Sequence, residues 1–205
     1  MNTIPSVRQL LSAAVVSVSL VSSVSAIAQA APARIRATIN KISGDSVDVT
    51  DIGGKNMTLK LAPDVGFLSV DNAAITDIKA DSFIGTAAIP LPDGTLKALE
   101  VTVFPPGMKP AEGHYQWDLG SDSSMTNGTV GDVVIAKGRT ITVKYKNGEQ
   151  KILVPENAPI VRLAPADHSL LVVGAHAIFF MSKAADGSPV AARAAIGRGG
   201  VVPPM

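Results

Sequence analysis

The sequence predicts an all-β protein laid out as two tandem small barrels, and three observations predict it. Short runs alternate apolar and polar residues, the period-two pattern of strands with one buried face. Clusters of Gly, Asp, Asn and Pro separate these runs, as tight turns require. The order of runs and turns seen before residue 105 then returns after residue 127 at a nearly constant offset. Gly148 follows Gly54 by 94 residues, Pro155 follows Pro63 by 92, and Gly187 follows Gly94 by 93. Offsets this regular point to internal duplication.

In the first segment, residues 33–105, Ile35, Ala37 and Ile39 alternate with Arg36, Thr38 and Asn40. Val47 and Val49 alternate with Asp48 and Thr50, and Met57, Leu59 and Leu61 with Thr58 and Lys60. Between the second and third runs, Asp51-Ile-Gly-Gly-Lys55 has the composition of a hairpin turn. Residues 72–79, NAAITDIK, read as a short helical turn. Phe83–Ile89 and Leu96–Phe104 then form a strand pair joined through Pro92-Asp93-Gly94. Three strands, a helical turn and two strands is the order of a five-stranded OB-like barrel.

The second segment, residues 127–197, repeats this order. Thr129-Val130 stands for Thr38-Ile39, Ile141-Thr-Val143 for Val47-Asp-Val49, and Asp186-Gly187 for Asp93-Gly94. Gly174 is matched to Gly85 at 89, which makes the last hairpin about four residues longer. Residues 106–126 lie within a stretch rich in Pro, Gly and Ser, Pro105–Asn127, read as an ordered linker. The tail, 198–205, is expected to be extended or disordered.

Residues 1–30 read as a cleavable signal peptide. Arg8 is their only charge, Leu10–Ala28 is uncharged and rich in Val, Leu, Ser and Ala, and Ala28-Gln29-Ala30 supplies the small-x-small cleavage pattern. Cleavage is expected before Ala31, which places the protein in the periplasm or outside the cell. No later stretch is apolar for long enough to span a bilayer, so no integral membrane segment is expected after cleavage.

With no cysteine in the chain, disulfides, thiolate metal sites and a cysteine nucleophile are excluded. Stability must then come from packing. Residues 128–205 hold 9 Lys/Arg against 5 Asp/Glu, a mild excess that falls short of a nucleic-acid-binding domain. The basic run between Lys137 and Lys151 carries Lys144 and Lys146 on the face opposite Ile141, Val143 and Tyr145, so no aromatic platform for bases accompanies it.

The segments ADSFIGTAAIPLPDGTLKALEVTVFP, EGHYQWDL, SMTNGTV, YKNGEQKILVPENAPIV and the closing GVVPPM resemble a family of uncharacterised exported proteobacterial proteins over nearly the whole chain after residue 30. Each half is also similar to a widespread secreted domain built of small-barrel repeats. Members of the family are sometimes labelled metal-transporter permeases, which the lack of a spanning segment does not support. The resemblance implies compartment and fold and supplies no catalytic residues.

Candidate chemistry gathers in the linker. His114, Tyr115, Trp117 and Asp118 form a candidate ligand strap, in which the only Trp of the chain stacks a ring while His114 and Asp118 bond its polar rim. Tyr115, Trp117 and Leu119 are spaced by two and share one side if the stretch is extended. The competing reading is that the aromatics pin the linker between the barrels. His114, His168 and His176 raise the possibility of metal handling, with Met108 and Met125 as soft ligands, but none has a partner at ligand spacing. Ser121, Ser123 and Ser124 near His114 lack an elbow or a Ser-x-x-Lys motif for a serine hydrolase. No catalytic, metal or cofactor residue is therefore assigned, and no cofactor is expected. The sequence points to a non-catalytic binding module for an unknown envelope protein or polymer.

Overall fold

A computed structural model describes residues 34–134 and 139–205. The signal segment with its cleavage site, and Lys137 of the basic run, lie outside the described residues. The described chain is all-β, with two short 3₁₀ turns, Ile75–Asp77 and His168–Leu170, as its only helical elements.

Three strands open the chain: β1 (Arg34–Ser43), β2 (Ser46–Asp51) and β3 (Asn56–Asn72). After the first 3₁₀ turn come β4 (Phe83–Pro90), β5 (Leu96–Ala98) and β6 (Val101–Val103). Then follow β7 (Gly113–Gln116), β8 (Ser124–Val134), β9 (Thr140–Tyr145), β10 (Gly148–Leu153) and β11 (Ile160–Ala166). The second 3₁₀ turn leads to β12 (His176–Lys183) and β13 (Pro189–Gly197).

Pairing closes two five-stranded rings. One runs β13-β12-β1-β2-β3 and returns to β13; the other runs β4-β5-β10-β9-β8 and returns to β4. Neither segment closes a ring by itself. Residues 33–105, expected to form one barrel, give β1 to β3 to the first ring and their last hairpin to the second. Residues 127–197 do the reverse. The reason lies in β3, which runs for 17 residues. Its start pairs with β2, and its end, Phe67–Asn72, crosses to pair antiparallel with β11, so the chain leaves the first ring before its last hairpin forms.

The two rings carry the same registers. In the second ring, β4 sets Ala88 against Ala98 of β5 and, beside the ring, Ile84 against Val103 of β6; in the first, β12 sets Met181 against Ala191 and Ala177 against Ile196, each 93 residues later. Likewise β8 meets β4 as Thr129 against Phe83, and β1 meets β12 as Thr38 against His176. This register aligns Gly85 with Ile178, so the match of Gly85 to Gly174 made from sequence is displaced. The hairpin turns agree in detail. Gly94 and Gly187 both hold φ 83°, a conformation glycine reaches without a Cβ clash. Beside them the Asp93 and Asp186 carboxylates each accept the backbone N–H two residues on, at 2.9 Å.

The alternating residues fill the ring interiors. Ile39, Val47, Val49, Phe179 and Ile196 pack in the first, and Ile84, Val130, Ile141, Val143 and Ile152 in the second. A third cluster of Leu68, Val70, Val161, Leu163 and Ile178 forms between them, on the outer faces of β3, β11 and β12. Met205 packs into it, with Pro203 also buried. The tail, expected to be extended or disordered, turns at Gly199-Gly200 and is docked: Arg198 donates its N–H to the Val70 carbonyl, and the Arg36 Nε donates to the Met205 carbonyl.

Candidate functional site

Pro105–Asn127, read from sequence as a linker, holds a strand and the start of another. β7 pairs antiparallel with the first residues of β8, His114 opposite Thr126 and Tyr115 opposite Met125. The Trp117 N–H continues the ladder to the Ser123 carbonyl at 2.8 Å. Along the strap, burial alternates as the spacing requires: Tyr115, Trp117 and Leu119 are partly buried, while His114, Gln116 and Asp118 are exposed.

Two groups hold the strap, one on each ring. On β8, the buried Asn127 donates its amide to the Tyr115 hydroxyl at 2.8 Å and to the Pro110 and Ala111 carbonyls at 3.2 Å. On β1, Arg36 forks onto the Asp118 carboxylate at 2.9 and 3.2 Å, and Arg34 reaches it at 3.4 Å. The Arg34 guanidinium also lies 3.8 Å over the Trp117 ring, a cation–π contact, and Trp117 is tilted against Tyr115 with centroids 6.0 Å apart. The hydrogen bond from Arg36, aided by both guanidinium charges, holds the Asp118 carboxyl below its usual range. Burial raises the Tyr115 hydroxyl and lowers the His114 imidazole.

Two donors in this cluster have no partner among the described residues: the Trp117 Nε1 and the Arg34 Nε, both buried. Such groups cost free energy until an acceptor or a water reaches them.

Sequence reasoning missed Glu100. It sits between β5 and β6 and is fully buried. Its Oε1 accepts the Ala87 N–H at 2.8 Å and its Oε2 accepts the Thr102 hydroxyl at 2.8 Å. Burial outweighs these donors and the nearby Arg36 charge, and pushes its pKa up to about 7. A signal was present: Leu96 and Ala98 face inward on even numbers, Val101 and Val103 on odd ones, so the parity slips at Leu99-Glu100. A slip of that kind marks a break in the ladder.

The other sequence candidates are not brought together. His114 Nδ1 lies 2.9 Å from the Thr126 hydroxyl and its ring stacks with Tyr145, neither of them a ligand that metals select. Among the described residues no three His, Cys, Asp or Glu side chains gather around a common point. Met125 is buried, and Met108 packs against the cluster between the rings. His176 bonds Thr38 at 3.0 Å, and His168 is exposed at the start of the second 3₁₀ turn. Of the serines, Ser123 closes the turn after the strap by donating to the Gly120 carbonyl, and Ser121 meets Asp122. A cavity of about 130 Å³ opens beside Arg36, bounded by Thr38, Ile52, His176, Val202 and Pro203. No helix among the described residues is long and apolar enough to cross a membrane.

Comparison of the chain with protein-family models, curated proteins and solved structures finds no match.

Proposed function

We propose that this protein is a non-catalytic binding module of the periplasm or extracellular space, and that its ligand meets the strap Gly113–Leu119. One observation carries this reading. The only Trp of the chain directly follows β7, a strand that belongs to neither closed ring, and its buried indole N–H lacks an acceptor among the described residues. A strap serving as a tie alone is already held by Asn127 and by the Arg36–Asp118 fork, and gains nothing from an unsatisfied donor. We further propose that the rings descend from one duplicated OB-like unit whose last hairpins were exchanged. The constant 93-residue shift of the hairpin registers supports this.

The test is capture from an envelope extract on immobilised protein, with His114→Ala/Gln116→Ala as the comparison. Both side chains are exposed, so the fold is expected to survive. The wild type is expected to retain a component that the variant retains at least tenfold less. Equal recovery on both would refute binding at the strap. The same preparation gives the compartment: intact mass of the protein recovered from the periplasmic or extracellular fraction is expected to start at Ala31, and a chain retaining Met1 contradicts export with cleavage.

A further inference from the structure

Closed rings leave a sheet few places to grow. Of the thirteen strands of the described residues, twelve pair on both sides, and β7 alone has a neighbour on one side only. An unpaired strand edge presents a row of free N–H and C=O groups, and proteins ordinarily blunt such edges with Pro, Lys or a bulge. β7 is kept short, at four residues, but it reads Gly-His-Tyr-Gln and contains no Pro, Lys or bulge; Lys109 and Pro110 lie ahead of it.

The directions of its backbone groups follow from one bond. The Trp117 N–H points to β8, and successive residues of a strand alternate, so Tyr115 also faces β8 while His114 and Gln116 turn their N–H and C=O groups away. No described residue bonds the backbone groups of His114 or Gln116 outside the ladder.

The geometry points to β7 as a docking edge for an extended segment of a partner polypeptide, which adds to the sheet as a further strand. This rests on the strap being the binding surface proposed above and names what binds there. The strap also dictates the partner's composition. Its exposed face carries Glu112, His114, Gln116 and Asp118; Asp118 is already paired with Arg36 and Arg34, which leaves Glu112 as the acid without an ion pair among the described residues, and its other face carries Tyr115, Trp117 and Leu119. A strand alternating basic with apolar residues matches both faces. A second copy of the chain matches poorly. Residues 112–119 hold no lysine or arginine, so a second copy brings no base on this strand to meet Glu112.

The probe is a short peptide alternating valine with lysine, tested on the purified protein beside a valine–glutamate peptide and a valine–lysine peptide N-methylated at alternate positions. Amide hydrogen exchange by NMR is read at His114 and Gln116. The valine–lysine peptide is expected to slow exchange at both amides at least tenfold, and the other two to leave them unchanged. Gln116→Pro removes an outward N–H without touching the bonds to β8, so it is expected to abolish the protection and leave the melting temperature unaltered. Where that variant fails to fold, the N-methylated peptide decides alone. Protection that survives either change overturns the inference, as does protection by the valine–glutamate peptide equal to that by valine–lysine. Slowed exchange that depends on protein concentration without peptide overturns it in favour of self-pairing. If none of the three peptides protects these amides, the edge is not a docking site. Should envelope capture still depend on His114 and Gln116 in that case, the strap binds by its face, and only the edge inference fails.

Discussion

The same place in the two rings is filled by opposite chemistry. The shared register puts Arg34 and Arg36 on β1 where β8 has Met125 and Asn127. Both pairs hold the strap. Met125 and Asn127 do so from beneath, by backbone pairing and by amide bonds out of reach of water. Arg34 and Arg36 do so from the side, through Asp118, whose side chain is 48% exposed. Two strands in matching registers thus supply a neutral, buried grip and a charged, half-solvated one. The neutral grip is the stronger, because an unmade buried hydrogen bond costs more than a screened ion pair returns.

The largest expected effect concerns the buried carboxylate beside the charged grip. The folded-state pKa of Glu100, about 7, lies above its ordinary 4.5. The native state therefore holds a proton that the unfolded chain has lost anywhere between those values. Stability from this group is full below pH 4.5 and declines as pH rises through 7, by about 3 kcal/mol in all. Glu100→Gln should flatten that decline, measured as denaturant midpoints at pH 5 and pH 8. A wild-type slope that persists in the variant would assign it to another group.

Asn127→Ala comes next. It leaves the Pro110 and Ala111 carbonyls and the Tyr115 hydroxyl without their donor, at a cost of about 2 kcal/mol in denaturant melts. The smallest effect is that of Asp118→Asn, which should cost under about 1 kcal/mol and less in high salt, since the pair is half in water. Its pH dependence has the opposite sign to that of Glu100. The depressed Asp118 pKa contributes stability above the usual carboxylate range, and that stability is lost as pH falls through it. If Asp118→Asn cost more than Asn127→Ala, the ranking of the two grips would be reversed.

Much of this architecture is legible in local pattern. Ile35, Ala37 and Ile39, or Val47 and Val49, alternate because one face of each strand is buried, and those strands were readable, whereas β7 was hidden in a stretch read as a linker. The sidedness of Tyr115, Trp117 and Leu119 was readable. Local pattern does not say which strand pairs with which. Phe179 of β12 and Ile39 of β1 are 140 residues apart in sequence and share one interior, and no period-two signal carries that distance. The strap's attachments were hidden for the same reason. Arg36 reads as a solvent-facing residue between Ile35 and Ala37, and its partner lies 82 residues away. Glu100 was partly legible, since the inward parity slips at its position. That its carboxylate finds an N–H and a hydroxyl in the interior depends on Ala87 and Thr102 arriving there, which is settled by the fold.

The claim that both rings hold the strap is tested most directly by amide exchange at Tyr115 and Trp117, read in the wild type and in Arg36→Ala. In the wild type both amides should exchange as slowly as that of Met125, which faces Tyr115 across the ladder. In Arg36→Ala, Trp117 should exchange markedly faster, Tyr115 only slightly, and Val130 and Ile141 in the ring interior not at all. Fast exchange at both strap amides in the wild type, or no change at Trp117 when Arg36 is removed, would contradict the account.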